Sequence, residues 1–206
     1  MTAPSDVRFY FDLSSVESYL MAERMLDALP VVAEWQPVAR ERLPGPSTEA
    51  FRCASEQEIY VAELQRRAAN ANIQPLRWPP AWPELDSTEA MLAATYAKSI
   101  GRAVAFAQAA FRQIFAGGRD PADRDTLVIA GAACEMHPRA LVQAITLSAT
   151  ARTLVSATQR AIAVGVHEVP AVSVGAAVFR GSGELADAAG AIEHELAASA
   201  ATPPRK

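Results

Sequence analysis

The segment from Val7 to Leu20, VRFYFDLSSVESYL, constrains the fold more than any other part of the chain. Its first half alternates in the manner of a β-strand, with Val7, Phe9 and Phe11 on one face. Small hydroxyl residues and an apolar pattern of helical period follow. The segment therefore predicts a strand, a tight turn and a helix start that carries serines. Unpaired backbone N–H groups and the helix dipole favour an anion there, such as a thiolate or a carboxylate.

Composition and charge narrow the kinds of partner. A chain of 206 residues that is 50% hydrophobic can bury the core of one sizeable domain. A net charge of −4 argues against a nucleic-acid surface, because phosphate binding needs a basic face. The N-terminus lacks a secretory pattern, and no segment approaches the roughly 20 apolar residues of a membrane helix. We therefore expect a cytoplasmic protein that binds a small molecule or a protein, with no membrane contact.

The cysteines and histidines form no pattern for a disulfide or a metal. Cys53 and Cys134 are far apart and make no C-x-x-C pair, so we expect both to be small buried hydrophobic side chains. The three histidines are not at metal-ligand spacing, and no cysteine or carboxylate cluster joins them. We therefore expect no metal.

The rest of the chain alternates between helix and strand patterns. Proline and glycine residues mark most of the boundaries, and the second strand completes a βαβ unit with a parallel strand pair. The elements predicted after the first strand are a helix at 17–29, a strand at 31–38, a helix at 56–70, helices within 86–139, a helix at 140–164 with a break near Ser148, strands at 171–174 and 176–179, and a helix at 185–196 with a fraying tail at 199–206.

The order βαβ, helical block, αββα is the thioredoxin arrangement with an all-helical insertion, within the α/β class. We expect residues 1–40 and 140–206 to form the thioredoxin-like domain and residues 41–139 to form the insertion. Within the insertion, the proline-rich stretch PLRWPPAWP is expected to be a surface loop. Its Trp78 and Trp82 are either lid residues for a substrate or a staple that holds the loop on the body.

Two motifs at opposite ends of the chain carry a more specific resemblance. The segment FYFDLSSVESYL resembles the F-x-F-D-x-x-S-P-x-S-Y-L opening of the DsbA-like superfamily, and GVHEVPAVSVGAAVFRG resembles its closing G-V-x-G-V-P motif. The resemblance covers residues 7–197. Disulfide oxidoreductases of this superfamily need C-x-x-C at the first helical turn, where this chain has serine at positions 15 and 18. Dithiol exchange is therefore impossible at this position, and an active disulfide oxidoreductase is rejected.

Serine in that place is typical of the 2-hydroxychromene-2-carboxylate isomerase family, which is similar to kappa-class glutathione transferases. The resemblance implies that Ser15 is catalytic and that its hydroxyl hydrogen-bonds the sulfur of bound glutathione. It implies a cis Val169–Pro170 bond, with the Val169 backbone pairing with glutathione. It also implies that Ser182, with Glu184 one residue beyond the family's aspartate, holds the γ-glutamyl group. From the residues alone, an ordinary trans proline at a strand start stays open.

The chain also departs from the family pattern. Val16 replaces the proline after the active serine, Glu168 replaces the glycine before V-P, and the loop at 43–47 has no asparagine. Ser18 stands in the place of the resolving cysteine and is an accessory candidate. His167 is either an acid–base residue in the cleft or a surface histidine.

The resemblance implies a glutathione-dependent isomerase or transferase that acts on an aromatic or unsaturated acid, and a homodimer. The implied chemistry is reversible thiolate addition to a conjugated double bond, rotation and elimination. The alternative is a non-catalytic DsbA-like thioredoxin-fold binding protein that lacks disulfide oxidoreductase chemistry.

Overall fold

The computed structural model describes residues 6–46 and 49–201, apart from some side chains, that of Ser182 among them. A four-stranded sheet lies at its centre, with the strand order β2-β1-β3-β4. The described elements are β1 (Val7–Phe11), α1 (Val16–Ala28), β2 (Glu34–Pro37), α2 (Ala54–Asn70), α3 (Thr88–Ser99), α4 (Ala103–Phe111), α5 (Arg124–Ala133), α6 (Pro138–Ile145), α7 (Ser148–Ala163), β3 (Ala171–Val174), β4 (Ala177–Arg180) and α8 (Leu185–Ala201).

The sheet is mixed, as the thioredoxin arrangement requires. Strands β1 and β2 are parallel, so the predicted βαβ unit is present, and β3 is antiparallel to both β1 and β4. Gly175 has a positive φ of 57° in the turn between β3 and β4. In the β1–β3 register Tyr10 pairs with Ala171, which places Pro170 beside the C-terminal end of β1. The turn into α1 therefore begins next to Pro170.

Both faces of β1 are covered. Phe9 and Phe11 belong to the main core, where the Phe9 and Trp35 rings meet edge to face at 4.9 Å. Phe11 reaches Phe111 of α4 at 5.8 Å between ring centroids, which joins the sheet to the helical block. Tyr10 lies in a second cluster on the opposite face. The sheet and the insertion thus share one core, to which Leu13 and Val16 at the start of α1 also belong.

Several boundaries differ from the expected ones. The expected limit of the insertion at residue 140 falls inside α6, while the expected helix break separates α6 from α7 at residues 146–147. Helix α8 continues to Ala201, beyond its expected end at residue 196, and 202–206 lie outside the described residues. Among the described residues no single helix is long and apolar enough to cross a membrane; the pair α6 and α7, bent by 68°, passes that test only when counted together.

The expected burial of both cysteines is wrong for Cys53. Cys134 is buried, whereas Cys53 is exposed at the N-cap position of α2. Helix α2 buries only Leu64 and Ala68 among its described residues, so its N-terminal end remains in solvent.

Candidate functional site

The N-terminus of α1 forms as the serine-rich turn predicts, with Ser15 as its N-cap. The Ser15 Oγ accepts a hydrogen bond from the Ser18 N–H at 3.2 Å, and the Ser15 N–H donates to the Asp12 carbonyl at 3.1 Å. Ser15 is 1% exposed, and its own O–H has no acceptor among the residues that the structure describes. One hydroxyl proton is therefore left over at this helix end.

A buried carboxylate fixes the turn that precedes α1. The Asp12 Oδ1 accepts from the Ser14 N–H at 2.9 Å and from the Ser14 O–H at 2.8 Å, while Oδ2 accepts from the Arg40 N–H at 3.0 Å. Asp12 is fully buried. It caps the turn and ties the end of β1 to the segment that follows β2, which is a structural role.

A second carboxylate, from Glu49, occupies the anion position at the start of α1. Its Oε1 accepts from the Val16 N–H at 3.3 Å, and its Oε2 lies 2.5 Å from the Arg40 Nη1. Burial raises the pKa of Glu49, against the opposing effects of Arg40 and the Val16 N–H. The position where the sequence predicts a thiolate or carboxylate thus holds a carboxylate of this chain.

The segment before β3 contains backbone groups that have no hydrogen-bond partner in the described part of the chain. The Val169–Pro170 bond is cis, the form that the resemblance implies, and the Pro170 carbonyl accepts from the Gly181 N–H at 2.9 Å. Val169 is 7% exposed, yet neither its N–H nor its C=O has a hydrogen-bond partner within residues 6–46 and 49–201. Buried backbone groups are almost always paired, so these two point to a ligand with its own donor and acceptor.

Two clefts meet at this segment. The first cleft, of about 890 Å³, is lined chiefly by Ser14 and by residues of the segments 40–46, 49–51, 83–88 and 167–169. The second cleft, of about 690 Å³, is lined by Glu17 and Arg24 of α1, by residues of α2, and by residues of the segments 168–170 and 180–184. Glu168 and Val169 line both clefts.

The second cleft is rich in guanidinium groups. Arg24, Arg67 and Arg180 line it together with three carboxylates. Arg67 donates from Nη1 and Nη2 to the two carboxylate oxygens of Glu17, each at 2.7 Å. This bidentate pair attaches α2 to the first turn of α1 and forms one wall of the cleft.

Three of the residues predicted for glutathione line the second cleft: Val169, Pro170 and Glu184. The Glu184 Oε2 accepts from the Arg180 N–H at 2.7 Å, so this carboxylate is held by its own loop. The Ser182 side chain lies outside the described part of the structure. Ser15 and Ser18 line neither cleft, and the Ser18 Oγ is buried without a partner among the described residues.

The remaining candidates lie around the first cleft. His167 is exposed and lines it, and its carbonyl accepts from the Gly45 N–H at 2.8 Å. The Trp78 and Trp82 rings are 4.2 Å apart, pack against the main core and line neither cleft. Phe51 contacts Trp82 at 5.7 Å and does line the first cleft. Trp82 therefore contacts the lining of the first cleft through Phe51.

Sequence reasoning missed Arg40, Glu49, Arg24 and Arg67. None belongs to a local motif, because each reaches the site from a different element. The helix-start pattern did predict an anion at α1, without indicating that Glu49 supplies it. No group of histidine, cysteine and carboxylate side chains within the described residues could hold a metal ion.

Known proteins resemble this chain over nearly its whole length. The profile of the DSBA-like thioredoxin domain matches residues 6–193. The chain is similar in structure to a 2-hydroxychromene-2-carboxylate isomerase, with a TM-score of 0.82 and 20% identity over 94% of this chain and 97% of that one. It is also similar to a probable DsbA oxidoreductase from Streptomyces coelicolor, with a TM-score of 0.73 and 18% identity over 97% of this chain and 92% of that one.

A third similar structure is the cytosolic disulfide reductase DsbM from Pseudomonas aeruginosa with GSH, with a TM-score of 0.61 and 12% identity over 94% of this chain and 98% of that one. No curated protein sequence matches this chain significantly. At these identities the structural likeness shows the fold alone.

Proposed function

Since this chain belongs to the family of DSBA-like thioredoxin domains, we propose that it is a glutathione-dependent isomerase or transferase of the 2-hydroxychromene-2-carboxylate isomerase type. The observation that carries the proposal is the unpaired backbone of Val169, buried beside cis Pro170. A tripeptide can hydrogen-bond to both groups in the manner of an added strand. The related structure with GSH supports glutathione as that tripeptide.

The charges of the second cleft fit glutathione, which carries two carboxylates and one ammonium group. Arg24, Arg67 and Arg180 bring positive charge to the cleft, with Arg67 held bidentately by Glu17, and Glu184 offers an acceptor for the ammonium group. We therefore assign glutathione to the second cleft, with its cysteinyl backbone on Val169. Bound there, glutathione would supply the thiolate that this chain lacks at positions 15 and 18.

The residues of the chain would then hold that charge and position an acceptor. The spare O–H of Ser15 and the positive end of α1 stabilise an anion, and the first cleft, which joins the second at Glu168 and Val169, receives the substrate. In this proposal the thioredoxin-like part, residues 1–40 and 140–206, provides most of the glutathione side, and α2 of the insertion adds one wall through Tyr60 and Arg67. The helical insertion, residues 41–139, provides much of the substrate side.

The Glu49 carboxylate favours a second candidate, a non-catalytic binding protein of the same fold. A thiolate at α1 would compete with Glu49 for the Val16 N–H, and Ser15 beside it is buried. A protein that only binds a peptide or small ligand at Val169 needs no thiolate at the helix end.

Calorimetric titration with glutathione and with an analogue that lacks the thiol tests the proposal. We expect both to bind, and we expect the thiol pKa of bound glutathione, followed by thiolate absorbance, to fall below its value in solution. Absence of glutathione binding would overturn the proposal. Binding without a lowered thiol pKa would support the non-catalytic candidate.

The proposal includes a homodimer and a cytoplasmic location. A similar structure is described as a cytosolic disulfide reductase, which is consistent with that location. Light scattering during size-exclusion chromatography tests the dimer directly. A monomer at micromolar concentration would contradict it.

A further inference from the structure

The first cleft has a strong excess of negative charge. Five carboxylates line it, from Glu41, Glu49, Glu84, Asp86 and Glu168, against the single guanidinium of Arg40. That guanidinium is already engaged by Glu49 at 2.5 Å. None of the other four carboxylates has a cation closer than 3.8 Å among the described residues. An anionic substrate would be repelled here, and a cation would be attracted.

Ser87 gives a second and independent sign of a ligand. It stands at the N-cap position of α3, lines the first cleft and is 8% exposed, but its side chain makes no capping hydrogen bond. The Asp86 Oδ1 instead accepts from the Thr88 N–H at 2.9 Å. No other partner of the Ser87 hydroxyl occurs in the described residues. Because Ser87 lines the cleft and its hydroxyl is not used for capping, that hydroxyl is available for a hydrogen bond to a ligand that enters the cleft.

The apolar residues that line the first cleft indicate that the ligand also has an apolar part. Leu43, Phe51, Pro83, Leu85 and Val169 face the cleft together with the charged groups. A volume of about 890 Å³ accommodates a small molecule of ring size or larger. The ligand that matches this lining has an apolar or aromatic body and a protonated amine.

We propose that the first cleft binds a cationic substrate, with an apolar conjugated body and an amino or guanidino group, in place of the unsaturated acid that the sequence resemblance implies. This inference rests on the proposed function, because it treats the first cleft as the substrate side of the glutathione site. The amine lies near Glu84 and Asp86, and it donates a hydrogen bond to the Ser87 hydroxyl oxygen.

Three probes with one body and different charge test this assignment: cinnamylammonium, cinnamyl alcohol and cinnamate. Their dissociation constants are measured by calorimetry or NMR titration without glutathione. We expect cinnamylammonium to bind about tenfold more tightly than cinnamate, with the alcohol between them and with the difference reduced by added salt.

A pair of charge variants locates the effect. The double variant Glu84→Gln/Asp86→Asn should reduce the preference for the cation by about three- to tenfold. Its matched control, Asp187→Asn/Glu193→Gln on α8, removes the same charge from residues that line neither cleft and should leave the preference unchanged. Ser87→Ala should weaken cinnamylammonium binding by about two- to tenfold.

Tighter binding of cinnamate than of cinnamylammonium would overturn the inference, as would an equal effect of the test and control variants. Titration of glutathione into the wild-type protein is performed separately. Failure of the proposed function appears there as absent glutathione binding, whereas failure of this inference appears only in the charge order of the probes.

Discussion

The first and second clefts share Glu168 and Val169 but differ in the charges that complete them. The first cleft combines five carboxylates with one arginine, Arg40, which is paired with Glu49, whereas the second cleft balances three arginines against three glutamates and includes the Arg67–Glu17 pair. The shared residues lie in the loop just before β3, and the differing residues come largely from α1, from α2 and from the loops before α2 and α3. The fold thus supplies one backbone docking edge, and the surrounding elements decide what each side of it accepts.

The largest difference that we expect between the clefts concerns their arginines. Arg40 and Glu49 have side chains that are 21% and 1% exposed, whereas Arg67 and Glu17 are 30% and 12% exposed. Arg40→Ala leaves the Glu49 carboxylate buried without its cation and should lower the free energy of unfolding by about 3–5 kcal/mol. Arg67→Ala should cost clearly less, because water can reach Glu17.

Urea titration of both variants measures this difference. Arg40→Lys keeps a cation near Glu49 and serves as the folded reference if Arg40→Ala does not fold. Equal losses of unfolding free energy in Arg40→Ala and Arg67→Ala would show that the two ion pairs contribute equally to stability. The clefts would then not differ in this respect.

The second prediction concerns the helix end that lies between the clefts. If glutathione binds with its sulfur against Ser15, then Ser15→Ala removes a hydrogen bond to a charged acceptor, worth about 1.5–3 kcal/mol. That loss weakens thiolate stabilisation by about ten- to a hundredfold. Ser18→Ala is the matched control, because the Ser18 Oγ has no partner among the described residues and its loss costs no hydrogen bond.

Thiolate absorbance as a function of pH gives the pKa of the bound thiol in the wild type and both variants. A raised pKa in Ser15→Ala alone agrees with a catalytic Ser15. The same pKa in all three proteins would leave Ser15 as a structural cap and would favour the binding protein.

The fold was largely predictable from the sequence, and the clefts were not. Val7 to Leu20 predicts a strand, turn and helix through local alternation and hydroxyl placement, and the structure has β1, the turn and α1 there. Glu49 lies 33 positions beyond Val16, yet its carboxylate holds the Val16 N–H. No periodicity encodes such a contact, because it depends on how a loop with irregular backbone returns to the sheet.

The contrast between local motifs and contacts of distant segments also applies to the residues predicted to bind glutathione. Val169 and Pro170 follow from a motif that specifies backbone geometry, and they lie where two clefts meet. The charge of each cleft depends on residues from several separate segments. The acid expected as substrate came from the family resemblance, whereas the negative charge of the first cleft comes from residues outside the two motifs that carry that resemblance, apart from Glu168.

The third prediction separates the Glu49 carboxylate from an ordinary surface carboxylate by its pH dependence. Burial raises the folded-state pKa of Glu49 above the ordinary value of 4.5, so the folded state binds more protons than the unfolded state above that pH. The contribution of Glu49 to stability is then full below about pH 4.5 and is lost as the pH rises through the folded-state pKa. The stability of Glu49→Gln relative to wild type should therefore increase as the pH rises from 4.5.

Glu89 provides a control of opposite sign. Its hydrogen bonds to Arg124 lower its pKa, so its contribution is present above pH 4.5 and is lost as the pH falls. The stability of Glu89→Gln relative to wild type should decrease as the pH rises through that lower range. Parallel pH profiles for the two variants would contradict the raised pKa of the buried Glu49 carboxyl group.

The smallest expected effect distinguishes two serines that occupy N-cap positions. Ser15 caps α1 through its Oγ, whereas Ser87 at α3 makes no capping bond and lines the first cleft. Ser15→Ala should therefore lower the free energy of unfolding by about 1 kcal/mol, and Ser87→Ala should change it by less than about 0.5 kcal/mol. Thermal unfolding of both variants without any ligand measures the difference. An equal loss would mean that Ser87 caps α3 after all, so that its hydroxyl is not held ready for a ligand of the first cleft.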